Sequence, residues 1–273
     1  MKISRIAIVW NRTKAGAEAC AKAVAEQAGK RGMGVLMTSD VPVKTESLEA
    51  CQLCCVIGGD GTILGAVASA VANNTPIFGI NLGKLGYLAS YEAANIEKDF
   101  EAIIRDDYRQ VSHTLLECTI GAAGTPFLAL NDIVIKTKDV CRLATLRVEA
   151  CGCGEINTFR ADGLIFSTST GSTAYSLSAG GPLIHSEAEV FAMTPLNPHT
   201  LTNRTIVLPR SMHLQVFNEN ENVPVVAVVD GRILLGLPEN ERIFIRVSTQ
   251  KLTILQPRIL SEFEILRTKL KWV

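Results

Sequence analysis

The chain has 273 residues, with 27 lysines and arginines against 27 aspartates and glutamates, a net charge of +0 and 47% hydrophobic residues. Folding buries about 73% of the surface of a chain this size, enough for one large domain or two modest ones, and excludes disorder. With no net positive field, a broad nucleic-acid-binding surface is excluded as well.

The first third reads as alternating strands and helices. Ile6–Val9 is a short β-branched run suited to a buried parallel strand, and the Ala-rich stretch from Ala15 to Lys30 suits a helix stopped by Gly32. Val35–Thr38 and Cys54–Ile57 continue as strands, Thr62 to Ala72 as one helix, Ile77–Ile80 as a strand, and Ile96 to Arg105 as an amphipathic helix. Strands spaced in this way argue for parallel βαβ units.

After Tyr108 the texture changes. Thr114–Ile120, Phe127–Thr137, Leu143–Ala150 and Gly163–Thr168 are short and β-prone, as are Ile206–Leu208, Leu214–Phe217, Val223–Val229 and Ile243–Val247. Gly121, Gly124, Gly152 and Gly154 punctuate them. The expected fold class is an α/β N-terminal nucleotide-binding domain, residues 1–107, plus a β-rich, sandwich-like C-terminal domain, residues 108–257, with the tail 258–273 returning to the first. The apolar run at the start is too short for an export signal and none approaches the roughly 18 residues of a spanning helix, so a cytoplasmic protein with no membrane partner is expected.

Eight cysteines need weighing against that compartment. Cys51 and Cys54 form a CxxC and Cys151 and Cys153 a CxC, but no second CxxC at zinc-ribbon spacing and no close histidine pair completes a metal site. The CxxC leads straight into apolar Cys55-Val56-Ile57, which disfavours a redox dithiol. The expectation is reduced thiols used as small core residues, with no residue assigned as a metal ligand.

Gly58-Gly59-Asp60-Gly61-Thr62 lies between a predicted strand and a predicted helix. Its glycines let backbone N–H groups approach a ligand, and a helix start behind adds partial positive charge, so the turn suits a phosphate. Asp60 is out of place in a phosphate cradle unless it holds a cation or accepts a hydroxyl proton; its bland reading is a helix cap. Three rivals fail. Gly83-Lys84 is followed by Leu85 and so is no P-loop; no acidic residue occurs between Asp60 and Glu92 for a Rossmann ribose contact; Ser176-Leu177-Ser178-Ala179-Gly180 lacks the first glycine of a nucleophile elbow. A second cluster, Asp162 to Tyr175, is hydroxyl-rich: Ser167, Thr168, Ser169, Thr170, Ser172, Thr173 and Tyr175 are more than a buried turn carries unless a polar ligand satisfies them. Asn131-Asp132, before Ile133-Val134-Ile135, suits ribose hydroxyls and a base edge or simply a turn.

Together, Gly58 to Thr62, Asn81 to Leu88, Asn131-Asp132, Asp162 to Tyr175, Ser178 to Pro182, Thr194-Pro195, Pro198 to Leu201 and Asp230-Gly231 resemble the NAD kinase family over nearly the whole chain. The glycine turn alone is shared with lipid kinases and phosphofructokinases; joined to Thr170-Gly171-Ser172-Thr173-Ala174-Tyr175 it is specific. The resemblance implies ATP-dependent phosphorylation of the 2′-hydroxyl on the adenosine side of NAD, giving NADP, with Mg²⁺ or another divalent cation accompanying ATP, polyphosphate as an alternative donor, and assembly into dimers or tetramers. It makes Asp60 the proton acceptor, with Gly59, Gly61 and Thr62 beside it. It places Asn131, Asp132, Asp162, Thr173, Ala174, Tyr175 and Ser178 along the NAD site, with Arg142, Arg160 and Arg232 near it. Asp132 stands where many relatives carry Glu, and Arg232 where bacterial members often have Gln. A lipid or sphingoid-base kinase sharing the glycine turn is the alternative.

Overall fold

The computed structural model describes residues 3–83, 86–139, 141–220, 222–238, 241–259 and 261–272, apart from the side chains of 233 and 234. Lys84 and Leu85, within the family segment above, lie outside the described residues. The chain forms two compact units, one made of residues up to Ser112 and from Leu252 onward, the other of His113–Lys251.

In the first unit, β1 (Arg5–Trp10), α1 (Ala17–Gly29), β2 (Gly34–Thr38) and β3 (Leu53–Ile57) are followed by α2 (Asp60–Leu64), α3 (Val67–Ala72), β4 (Ile77–Asn81), β5 (Tyr91–Glu92) and α4 (Ile96–Ile104). Strands β2, β1, β3 and β4 pair in that order, all in parallel. β3 is buried along its whole length, as a central parallel strand with both faces covered must be. α1 buries Ala17, Ala21, Val24 and Ala28, a stripe at helical spacing that joins Ile6, Ile8, Phe78 and Phe100 in one core.

The second unit is antiparallel. The chain runs through β6 (Arg109–Ile120), β7 (Phe127–Ala129), β8 (Asp132–Thr137), β9 (Ala144–Ala150), β10 (Gly154–Ala161) and β11 (Gly163–Thr168), then the short helix α5 (Tyr175–Ser178). It continues with β12 (Val190–Leu196), β13 (Ile206–Pro209), β14 (His213–Asn218), β15 (Val225–Val229), β16 (Ile233–Gly236) and β17 (Arg242–Gln256), and α6 (Glu262–Leu270) follows. One sheet pairs β10, β9, β14 and the first residues of β17; the other runs β13-β12-β11-β8-β15-β16. Leu146, Val148, Phe159 and Val216 of the first meet Ile133, Ile135, Phe166 and Met193 of the second in a single core, which makes the unit a β-sandwich. The last residues of β17 belong to the first unit, where Ile254 and Leu255 pair in parallel with Ile77 and Phe78 of β4.

Two expected elements are broken. The single helix from Thr62 to Ala72 is α2 and α3, interrupted at Gly65 and Ala66. The run from Phe127 to Thr137 is β7 and β8, parted at Leu130 and Asn131, whose N–H groups both go to Asp230 instead of a strand partner. β10 and β12 were not anticipated: β10 is polar along its exposed face, and β12 carries Pro195. Cys51, Cys54, Cys55 and Cys118 are buried as small core residues, and burial pushes the Cys118 thiol up to about 12. Cys141, Cys151 and Cys153 are exposed, so core filling does not account for them.

Candidate active site

The glycine turn leaves the C-terminal end of β3, where parallel α/β sheets place their ligands. Asp60 opens α2 but does not cap it: the N-cap is Gly59, with no side-chain cap bond. The carboxylate reaches instead to the loop after β4. Its Oδ2 accepts the N–H of Tyr87 at 2.9 Å, and its Oδ1 accepts those of Leu88 at 3.1 Å and Ala89 at 3.0 Å. A carboxylate offers about four acceptor directions, so three donors fix its orientation and, among the described residues, leave one direction open on Oδ2. The approach demands glycine at 86, where a Cβ would stand 2.9 Å from Asp60 Cγ. Gly58, Gly59, Asp60, Gly83 and Gly86 line a cavity of about 450 Å³ in this unit. Gly61 and Thr62 do not line it; Thr62 is buried and donates its N–H to the carbonyl of Gly59.

In the β-sandwich unit, a second cavity of about 360 Å³ gathers Asn131, Asp132, Ala174 and Tyr175. Lys136 and the Asp230-Gly231 pair line it too, and neither was among the expected site residues. Asp230 sits in left-handed backbone at φ 48°, and its carboxylate accepts the N–H groups of Leu130, Asn131 and Asp132 at 2.8, 2.8 and 3.0 Å. Burial raises the Asp230 carboxyl, opposed by those three donors. Asp132 has no donor to its carboxylate among the described residues; burial, and then the charge of Asp230, push it up to about 7.

The hydroxyl-rich stretch is not held open for a ligand, contrary to expectation. Thr168 Oγ1 donates to the Leu130 carbonyl and accepts the Gly171 N–H, Ser169 Oγ donates to the carbonyl of Ala188, and Ser172 Oγ donates to the carbonyl of Ser169. Thr170 pairs with the ring of His113 at 2.9 Å. Buried hydroxyls must find partners, and Thr168, Ser169, Thr170, Ser172 and Thr173 find them in the protein itself, some within the loop and others at Leu130, Ala188 and His113. What the loop presents to the cavity is Ala174 and Tyr175. Gly171 packs so tightly that a Cβ there would lie 2.6 Å from the Cα of Asn131.

The remaining expected residues do not line this cavity. Asp162 accepts a hydrogen bond from Asn197 Nδ2 at 2.8 Å, Thr173 donates to the Thr170 carbonyl, and Ser178 is exposed. Arg142 pairs with Asp139 at 3.3 Å, Arg160 is exposed on β10, and exposed Arg232 neighbours Asp230.

Comparison with known proteins addresses both units. A family model described as the ATP-NAD kinase N-terminal domain matches residues 42–108, and one described as the ATP-NAD kinase C-terminal domain matches 130–256. The chain is 34% identical over 247 residues to an NAD kinase of Geobacter sulfurreducens, covering 89% of this chain and 84% of the relative. It is 36% identical over 252 residues to an NAD kinase of an Acidovorax species, covering 91% and 83%. Among solved structures, an NAD kinase from Archaeoglobus fulgidus in complex with ATP superposes with a TM-score of 0.82 at 25% identity, covering 98% of this chain and 99% of that one. Yeast NADH kinase complexed with NADH shares the fold, with a TM-score of 0.87 at 21% identity, covering 99% and 88%. A glycine turn bearing an anchored aspartate, a β-sandwich carrying Asn131-Asp132 against Ala174-Tyr175, and identity of this extent over most of the chain agree: the chain belongs to the NAD kinase family.

Proposed function

We propose that this chain, an NAD kinase, binds the ATP phosphates in the cavity of its glycine turn and the dinucleotide in the cavity beside Asp132. The observation that carries the reading is Asp60: a carboxylate oriented by three backbone donors, with one acceptor direction left on Oδ2, at the rim of a glycine-lined cavity. Phosphoryl transfer asks a protein for alignment, charge neutralisation and a proton acceptor more than for covalent chemistry. The 2′-hydroxyl oxygen of the adenosine ribose bonds to the γ-phosphorus, the bond from that phosphorus to the bridging oxygen breaks to release ADP, and Asp60 takes the hydroxyl proton. Asn131 and Asp132 hold the dinucleotide by its hydroxyls, and Tyr175 covers it.

A divalent cation arrives with the nucleotide in this reading. Among the described residues no three His, Cys, Asp or Glu side chains cluster to hold a metal. Mg²⁺ needs no such cage, since it is commonly carried by phosphates and water with few protein oxygens, so the open direction of Asp60 Oδ2 stays with the hydroxyl. When bound, the cation neutralises charge on the transferred phosphoryl group. Cytoplasmic residence and assembly into a dimer or tetramer belong to the same reading and rest on family resemblance. No helix of the described residues is long and apolar enough to cross a membrane.

The lipid or sphingoid-base alternative draws no support from the relatives compared, which are named NAD kinase. Offering NAD, NADH and diacylglycerol in parallel, each with ATP or polyphosphate, tests the reading. NADP is expected with ATP; a phosphorylated lipid without NADP would overturn it.

A further inference from the structure

The cavity at the glycine turn is lined by two lysines that no motif of the family segment contains, Lys14 and Lys269. They reach it from opposite ends of the sequence, and local structure accounts for each. Past β1, Asn11 donates its N–H to the Ile57 carbonyl at 3.0 Å, and its Oδ1 accepts the Thr13 N–H at 3.0 Å and the Thr13 hydroxyl at 2.8 Å. That Asx turn sets Lys14 beside the residues that follow β3. At the other end, a Ser261–Glu264 capping box starts α6 and Ile265 is its buried anchor. Lys269 lies four residues beyond Ile265, hence on the same helix face, and its Nζ stands 5.8 Å from the centre of the Tyr87 ring. Tyr87 is the residue whose N–H binds Asp60.

Charge makes the pair consequential. The whole chain is neutral and supplies no attracting field. α2 has only five residues, too short to supply a strong dipole. The other described residues lining the cavity are glycines, the neutral Ala15, Asn81 and Leu82, and one carboxylate, Asp60. ATP carries about four negative charges and its divalent cation removes about two, leaving about two for the protein to balance. Neither Lys14 nor Lys269 forms an ion pair among the described residues, so both are available for that task.

Building on the reading above, we infer that Lys14 and Lys269 form a two-point clamp on the phosphate chain of the donor, with the C-terminal helix closing the ATP site. The chemistry recognised is a linear polyphosphate, whether the triphosphate of ATP or inorganic polyphosphate, because an ammonium group acts as a point charge and does not read a nucleoside.

The test is calorimetric binding of MgATP, AMP and inorganic tripolyphosphate to the whole 273-residue chain and to Lys14→Met, Lys269→Met and Lys269→Arg, with Lys22→Met on the exposed, Glu18-paired face of α1 as the charge-loss control. Each Met variant is expected to weaken MgATP binding about tenfold, with a smaller effect on AMP and a flatter salt dependence, while Lys269→Arg and Lys22→Met stay near wild type. Equal losses for MgATP and tripolyphosphate identify the phosphate chain as the target; a loss confined to MgATP overturns the polyphosphate assignment. MgATP binding within twofold of wild type in both Met variants overturns the clamp. NADP formation by the wild-type chain, measured alongside, tests the kinase reading separately.

Discussion

Asp230 Oδ1 accepts the backbone N–H of Asp132 at 3.0 Å, so the half-buried carboxylate of Asp230, just after β15, is tied to the residue that opens β8 and carries a buried carboxyl of its own. The bonds are unevenly shared: Asp230 receives three backbone N–H groups, and no donor serves the Asp132 carboxylate among the described residues. Asp132 therefore carries the cost of burial.

That cost has a sign. The Asp132 carboxyl titrates near 3.8 in an ordinary setting and about 7 here, so between these values the folded chain holds a proton that the unfolded chain has lost. Stability must fall as pH rises through that window and level off above it, by an amount on the order of 2–4 kcal/mol. Asp132→Asn is expected to remove this slope and to raise the melting temperature at pH 8. If Asp132 accepts ribose hydroxyls, the wild-type KM for NAD also rises as pH drops below 7, and the variant's KM does not follow. Melting curves and initial rates at stepped pH check both.

Gly86 tests how the Asp60 anchor works. A Cβ at 86 would meet Asp60 Cγ at 2.9 Å, so Gly86→Ala must displace the carboxylate or the loop that holds it. Turnover is expected to fall about 10²-fold, as for loss of a general base, with faster amide exchange at Tyr87, Leu88 and Ala89. Asp60→Asn retains one carbonyl oxygen for Leu88 and Ala89 but turns its NH₂ toward the Tyr87 N–H; it should lose a similar factor in kcat and keep NAD binding measurable.

Gly171 couples the hydroxyl-rich loop to the cavity that Asn131 and Asp132 line. Because Cα of Asn131 lies 2.6 Å from where a Cβ would stand, backbone rather than a yielding side chain blocks substitution. Gly171→Ala is expected to cost about 3 kcal/mol or more and to weaken NAD binding before ATP binding. Denaturant melts and separate ligand titrations read the two effects.

The sequence was most informative where chemistry is local. An apolar run followed by three glycines specifies a strand, a turn and an exposed backbone, and Asp60 stands out there because a carboxylate beside a phosphate needs a reason. What escaped was long-range. Nothing near Leu130 announces that Asp230, a hundred positions later, takes its N–H and parts β7 from β8. The seven hydroxylic residues from Ser167 to Tyr175 looked like ligand donors because their partners, carbonyls such as those of Leu130 and Ala188, lie elsewhere in the chain. Lys14 and Lys269 are ordinary isolated lysines in sequence, indistinguishable from solvated surface until folding brings them to one cavity.

The most direct test is a single turnover with γ-labelled ATP and NAD on the purified 273-residue chain, with the products separated and the label located. Label on the 2′-phosphate of NADP, and about 10²-fold less of it with Asp60→Asn, is the predicted result. Label found only in inorganic phosphate, or NADP formed at the wild-type rate by Asp60→Asn, would contradict the account.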